Sequence, residues 1–169
     1  LIAISQSGET ADTLAALRQS KELSYLANLA ICNVDESSLM READLKLLTR
    51  AGTEIGVAST KAFTTQLVAL FLFMLALGET KKTIDAKTSA RLSQLLKHLP
   101  SVAEELLTLD QSMRELATQF IAKEHALFLG RGINFPIALE GALKMKELSY
   151  IHAEAYPAGE LKHGPLALV

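Results

Sequence analysis

Short apolar, β-rich runs alternate with segments of helical period along the chain, the pattern of α/β layers built on a parallel sheet. Leu1 to Ile4 reads as a strand, and Thr10 to Leu23 as a helix with Leu14, Leu17 and Arg18 spaced along it. Leu26 to Cys32 reads as a second strand, Ser37 to Ala43 as a short helix, and Asp44 to Thr49 as a third strand. Thr53 to Thr60 is a polar, glycine-containing loop leading into a long helix from about Ser59 to Leu77. Within it, Leu67 to Leu77 is 11 residues without a polar side chain. A membrane span needs about 20, and Thr64, Thr65 and Gln66 precede this run, so a core helix is expected.

The character changes from Gly78 to Thr83, which is polar and turn-like. Ile84 to Leu99, Ser101 to Leu109 and Gln111 to Ala122 then read as three amphipathic helices separated by Pro100 and Asp110, with Pro100 suited to a helix start. His125 to Leu129 returns to strand, Gly130 to Asn134 is a loop, Phe135 to Ser149 is a helix, and Ile151 to Ala155 is a final strand. A subdomain boundary is placed between Gly78 and Asp85. Leu1 to Ile4 has no cap before it, and Leu166 to Val169 stops inside an apolar run. Both ends are therefore expected to be cut through structured protein, and the 169 residues to be a piece of a longer polypeptide.

Charge narrows the partners. The 17 basic and 19 acidic residues are interspersed, net −2, leaving no basic stripe for a nucleic-acid backbone. The four histidines are far apart and none has a metal-motif spacing, so no metal is expected. The lone cysteine, Cys32, lies in an apolar run and reads as a buried, inert thiol, which fits a reducing cytoplasm. No secretory signal pattern opens the chain.

Four segments carry residues capable of chemistry. Ser5-Gln6-Ser7-Gly8-Glu9-Thr10 lies between a strand and a helix, where parallel sheets bind ligands and helix N-termini present free N–H groups. Three hydroxyls, a glycine and no lysine favour a phosphomonoester over a metal-bound nucleotide. The competing reading is a polar turn with Ser7 or Thr10 as the helix cap. Gly52 to Lys61 is a second loop opening a helix, with Ser59 or Thr60 as its cap and Lys61 in the first turn, where the helix dipole disfavours a cation. Lys144 and Glu147 share one side of a helix, either as a base beside a cation or as an exposed ion pair. His163, between Lys162 and Gly164-Pro165, is placed either to move protons near neutral pH or to be an ordinary surface imidazole.

Taken together, SQSGETADTL (Ser5 to Leu14), AGTEIGVASTKAFTTQL (Ala51 to Leu67), ALEGALKMKELSYIHAEAY (Ala138 to Tyr156) and GELKHGPLAL (Gly159 to Leu168) resemble, in order, the isomerase region of the glucosamine-6-phosphate synthase family. These are the glutamine–fructose-6-phosphate aminotransferases. The resemblance implies two incomplete sugar-isomerase (SIS) subdomains, residues 1–80 and 81–169, each a parallel sheet flanked by helices. It implies that Ser5, Gln6, Ser7 and Thr10 bind the sugar phosphate and that Ser59 also contacts substrate. Glu147 would move the proton between C1 and C2, Lys144 would line the site and assist, and His163, lent by the partner of a homodimer, would open the sugar ring. One base reaching both carbons, with donors for the enediol oxygen, is what an aldose–ketose shift needs.

The implied partners are fructose 6-phosphate, glucosamine 6-phosphate and a glutaminase domain, with no cofactor, nucleic acid or membrane. Two departures from the family are visible: Cys32 is not the N-terminal nucleophile of a glutaminase, and Lys162 does not match the family's Schiff-base lysine. The chain alone is therefore not expected to complete the aminotransfer. A sugar-phosphate-sensing module of a transcription regulator would need the Ser5 to Thr10 loop but neither Glu147 nor His163. A phosphosugar isomerase without any glutaminase is the third reading.

Overall fold

Strand β2 (Leu29–Cys32) is buried at all four positions, and the architecture of the N-terminal unit depends on that burial. In this computed structural model, which describes residues 1–168, β2 pairs in parallel with β1 (Ile2–Ser5) on one side and β3 (Leu45–Leu48) on the other. Successive side chains of a strand point to opposite faces. Ala30 and Cys32 therefore enter one apolar cluster with Leu14 and Leu17 of α1 (Ala11–Glu22) and Leu39 and Met40 of α2 (Ser38–Glu42). Leu29 and Ile31 enter another with Ala69, Leu70 and Phe73 of α3 (Lys61–Thr80). Helices thus cover both faces of a β1-β2-β3 sheet, the expected parallel α/β arrangement.

The elements agree with the hydrophobic pattern, apart from their edges. β2 starts at Leu29 rather than Leu26, whose side chain is fully exposed. Asn28 and Asp44 fix that start reciprocally, the Asn28 N–H donating to Asp44 Oδ2 and the Asp44 N–H to Asn28 Oδ1. The core helix expected at Ser59 to Leu77 is α3, which runs on to Thr80. By length and composition it is the one helix among the described residues apolar enough to cross a membrane, yet its Ala69, Leu70 and Phe73 pack onto the sheet.

Pro100 corrects one expectation. It does not begin a helix but sits inside α4 (Ala86–Leu107), so the first two of the three expected helices are one. A proline removes one backbone bond to the preceding turn. The helix continues because its stripe Leu92, Leu95, Leu96 and Leu99 shares an apolar groove with Leu67, Val68 and Phe71 of α3. Ser101 Oγ also donates to the His98 carbonyl at 2.8 Å, knitting the turn around the proline. α5 (Asp110–Ala117) comes after it, shorter than expected, and passes into a 3-10 turn at Thr118–Phe120. Compact units form over Leu1–Val102 and Ala103–Val169, dividing within α4.

In the second unit β4 (His125–Gly130) and β5 (His152–Pro157) pair in parallel, joined by α6 (Phe135–Ser149). Pro136 lies in the first turn of α6, where its missing N–H costs nothing. Gly141 brings α6 close to β4: a Cβ there would stand 2.9 Å from the Phe128 ring. The chain then continues through 3-10 turns at Ala158–His163 and Pro165–Leu168, and Val169, the last residue of the apolar run read at that end, lies outside the described residues. Leu17 is completely buried in the cluster beside β2. Leu17→Ala is expected to lower stability by about 2–5 kcal/mol, seen as a lower midpoint in chemical denaturation; an unchanged midpoint would contradict the packing described.

Candidate functional site

Parallel strands shed their loops at the same end of the sheet, and that end carries a cavity of about 550 Å³ in the N-terminal unit. Its lining comes from the loops at the strand exits: Gln6 after β1, Asn33 and Asp35 after β2, and Arg50, Thr53 and Glu54 after β3.

The Ser5 to Thr10 turn is folded by its own hydroxyls. Buried Ser5 Oγ accepts the Gly8 N–H at 2.9 Å, and Ser7 Oγ accepts the Glu9 N–H at 3.2 Å. Gly8 has φ +71°, and a Cβ there would stand 2.1 Å from Ser37 Oγ and 2.9 Å from Cys32 Sγ. Only glycine fits that conformation and that gap. The close approach is thus to the protein's own β2–α2 junction, where Cys32 is buried as expected. Glu9 reaches the α2 N-terminus, accepting the Ser38 N–H at 2.7 Å, and that bond lowers its carboxyl below the usual range.

Thr10 holds the cap position of α1 by backbone geometry, but its side chain makes no cap bond. The capping reading of this turn is therefore not realised through Thr10, and the hydroxyl is exposed at the helix start.

The second loop is organised by a residue that the sequence pattern did not single out. Thr60 is the cap position of α3 without a side-chain cap bond; Glu54 supplies the capping instead. Its carboxylate accepts the Ala62 N–H at 3.0 Å, the Thr60 hydroxyl at 3.2 Å and the Ser59 hydroxyl at 3.5 Å. Partial burial alone would raise the Glu54 carboxyl; the bonds from Ala62 and Thr60, with the nearby Lys61 charge, outweigh it and leave the group below its ordinary value. Lys61 donates to the Thr53 carbonyl at 2.6 Å, which explains a cation in the first turn without a bound anion. The only sequence signal for Glu54 was a carboxylate shortly ahead of a helix start. Ser59 and the Ser5 to Thr10 turn are linked only indirectly: Glu54, which Ser59 touches, lines the same cavity as Gln6.

In the second unit Lys144 is held between two carboxylates, each about one turn of α6 away from it. Its ammonium lies 2.6 Å from Glu147 Oε2 and 3.4 Å from Glu140 Oε1, with the Lys144 side chain only 20% exposed. The bond to Glu147 is the main reason that Lys144 is raised above the usual lysine value. The pair read from the sequence is therefore a three-member cluster. Glu140 is the missed partner, and its signal was the (i, i+4) spacing to Lys144.

His163 ends an exposed 3-10 turn, and among the described residues no hydrogen bond joins it to Lys144 or Glu147. A separate, largely apolar cavity lies across one face of the β4–β5 pair, lined by Leu127, Leu129, His125, His152 and Glu154, and includes none of these three.

A parallel sheet with helices on both faces and its polar loops gathered beyond the strand ends defines an open α/β domain of the ligand-binding kind. The sequence profile of the SIS domain matches residues 1–76 and 119–169, and the chain belongs to that family. Within it, the chain is 65% identical over 168 residues, 99% of its length, to the glutamine–fructose-6-phosphate aminotransferase (isomerizing) of Pseudomonas syringae pv. tomato. It is 63% identical over 169 residues, its whole length, to the enzyme of the same name from Escherichia coli K12. The chain spans 28% of the length of each of these relatives. The solved C-terminal domain of glucosamine-fructose-6-phosphate aminotransferase from Francisella tularensis matches with a TM-score of 0.97 at 56% identity, covering 99% of this chain and 48% of that one.

The lowered Glu54 value fixes a pH dependence. Its contribution is present above the unfolded value near 4.5 and is lost as pH falls through the lower folded value. Hydrogen-exchange protection of the Ala62 amide is expected to fall on acidification below about pH 4.5, and Glu54→Gln to remove that dependence. Protection independent of pH in the unsubstituted chain would contradict the capping.

Proposed function

We propose that the chain is part of the sugar-phosphate isomerase region of a glutamine–fructose-6-phosphate aminotransferase, which forms glucosamine 6-phosphate from fructose 6-phosphate and glutamine-derived ammonia. The observation that carries the reading is the cavity beyond the strand ends of the first unit, bordered by Gln6 and by the Glu54 loop that holds Ser59. In this reading Ser5, Gln6, Ser7 and Thr10 take the phosphate of the sugar. Ser5 is buried and acts mainly by shaping the turn; the Ser7 oxygen also accepts a turn amide, that of Glu9, but the less buried Ser7 and the exposed Thr10 keep their hydroxyl protons to donate. Ser59 contacts the sugar.

Glu147 is the base that carries the proton between C1 and C2. Lys144, bonded to it at 2.6 Å, orients the carboxylate and offers a cation to the developing enediol oxygen. His163 assists ring opening, in trans within a homodimer. A phosphate-sensing module has no use for a base, so the Glu140–Lys144–Glu147 cluster favours the enzyme. Residues 1–80 would be the later part of a first SIS subdomain and 81–169 the opening of a second, with a glutaminase domain elsewhere in the longer chain and the whole in the cytoplasm.

The binding half of the proposal is tested by titrating fructose 6-phosphate while recording amide chemical shifts, with unphosphorylated fructose as control. Saturable shifts at Ser5 to Thr10 and Ser59, lost in Ser7→Ala with Thr10→Ala, are expected. A well-dispersed spectrum without shifts would sink the assignment. In the full-length protein, Glu147→Gln is expected to slow proton exchange between C1 and C2 about 10²–10⁴-fold with substrate affinity little changed; an undiminished rate would remove Glu147 from its role.

A further inference from the structure

We propose that Asn33 is a positioning residue for the sugar-phosphate cavity, tying the loop after β1 to the loop after β3; this rests on the function proposed above. Asn33 directly succeeds β2, the strand buried on both faces, so its backbone is anchored by the sheet core. Its N–H donates to the Gln6 carbonyl at 3.3 Å, which fixes it to the first loop. Its side chain is given to the second: Nδ2 donates to the Gly52 carbonyl at 2.8 Å, while Oδ1 accepts the Ala51 N–H at 2.8 Å and the Thr49 hydroxyl at 3.1 Å. Both lone pairs of the amide oxygen and one of its two N–H groups are thereby used.

The second loop needs such a clamp. Arg50 has φ 54° and Gly52 φ 75°, so two left-handed residues flank Ala51, and a non-glycine residue in that region persists only where its surroundings over-determine it. The side chain of Asn33 holds Ala51 and Gly52 themselves. The next two residues, Thr53 and Glu54, line the cavity, and Glu54 in turn holds Ser59. Asn33 therefore sets the separation between the phosphate turn and the sugar-contacting loop while bringing no charge. An aspartate would set a carboxylate oxygen against the Gly52 carbonyl and add a negative charge to a cavity that already contains Asp35 and Glu54.

The Ser5 to Thr10 turn keeps its own bonds, Ser5 to Gly8 and Ser7 to Glu9, without the Asn33 side chain. This separates a positioning role from general damage. Affinities for fructose 6-phosphate and for inorganic phosphate are compared by calorimetry in the unsubstituted chain, Asn33→Ala and Asn33→Asp. In Asn33→Ala, fructose 6-phosphate affinity is expected to fall about tenfold or more, the order of one lost hydrogen-bonded contact to the second loop, with phosphate affinity unchanged. Asn33→Asp keeps the volume and the acceptor bonds to Ala51 and Thr49 but loses the donor to Gly52, and is expected to weaken both ligands through its charge. Fructose 6-phosphate affinity within twofold in Asn33→Ala, or an equal loss of both ligands in that variant, would overturn the inference alone. If Asn33→Ala does not fold, Asn33→Ser takes its place: selective loss of fructose 6-phosphate affinity supports the inference, and affinity within twofold or an equal loss of both ligands overturns it. Failure of the unsubstituted chain to bind fructose 6-phosphate would instead sink the proposed function, and this inference with it.

Discussion

Burying one four-residue strand on both faces organises the N-terminal unit. Because β2 has no solvent side, its alternate residues must find separate apolar partners: Ala30 and Cys32 among α1 and α2, Leu29 and Ile31 against α3. That demand places helices above and below the sheet. Parallel neighbours result, because each helix returns the chain to the same end of the sheet before the next strand begins. The same geometry sends all three strand-exit loops to one edge, and the cavity that they line is a consequence of the core rather than an addition to it.

Those loops are stiffened by polar bonds between segments distant in sequence. Glu9 reaches the start of α2, Glu54 caps α3 from eight residues upstream, and Asn33 spans the exits of β1 and β3. In each case a side chain satisfies backbone groups that a helix end or a turn leaves open. The hydroxyls of Ser7 and Thr10 are left at the start of α1 without capping duty there.

The second unit carries its charged cluster on a helix instead. Lys144 lies between Glu140 and Glu147 on α6, and Gly141 lets that face approach Phe128 of β4 closely enough to fix the helix on its strands. A cation shared by two carboxylates holds both in place at little entropic cost, since all three project from one rigid element.

The order of strands and helices was legible in the chain because period and composition encode it locally: apolar runs for β1 to β5, and helical spacing for α1, α3 and α6. The motifs at Ser5 to Thr10 and at Lys144 to Glu147 were legible for the same reason, each being contiguous or within one helical turn. Pro100 misled because a local breaker yielded to a stripe of leucines packed against another helix. The capping role of Glu54, the span of Asn33 and the tight space around Gly8 were decided only by the fold. Each depends on groups that lie far apart along the chain and meet only once both faces of β2 are covered, and no periodicity in the sequence records such a meeting.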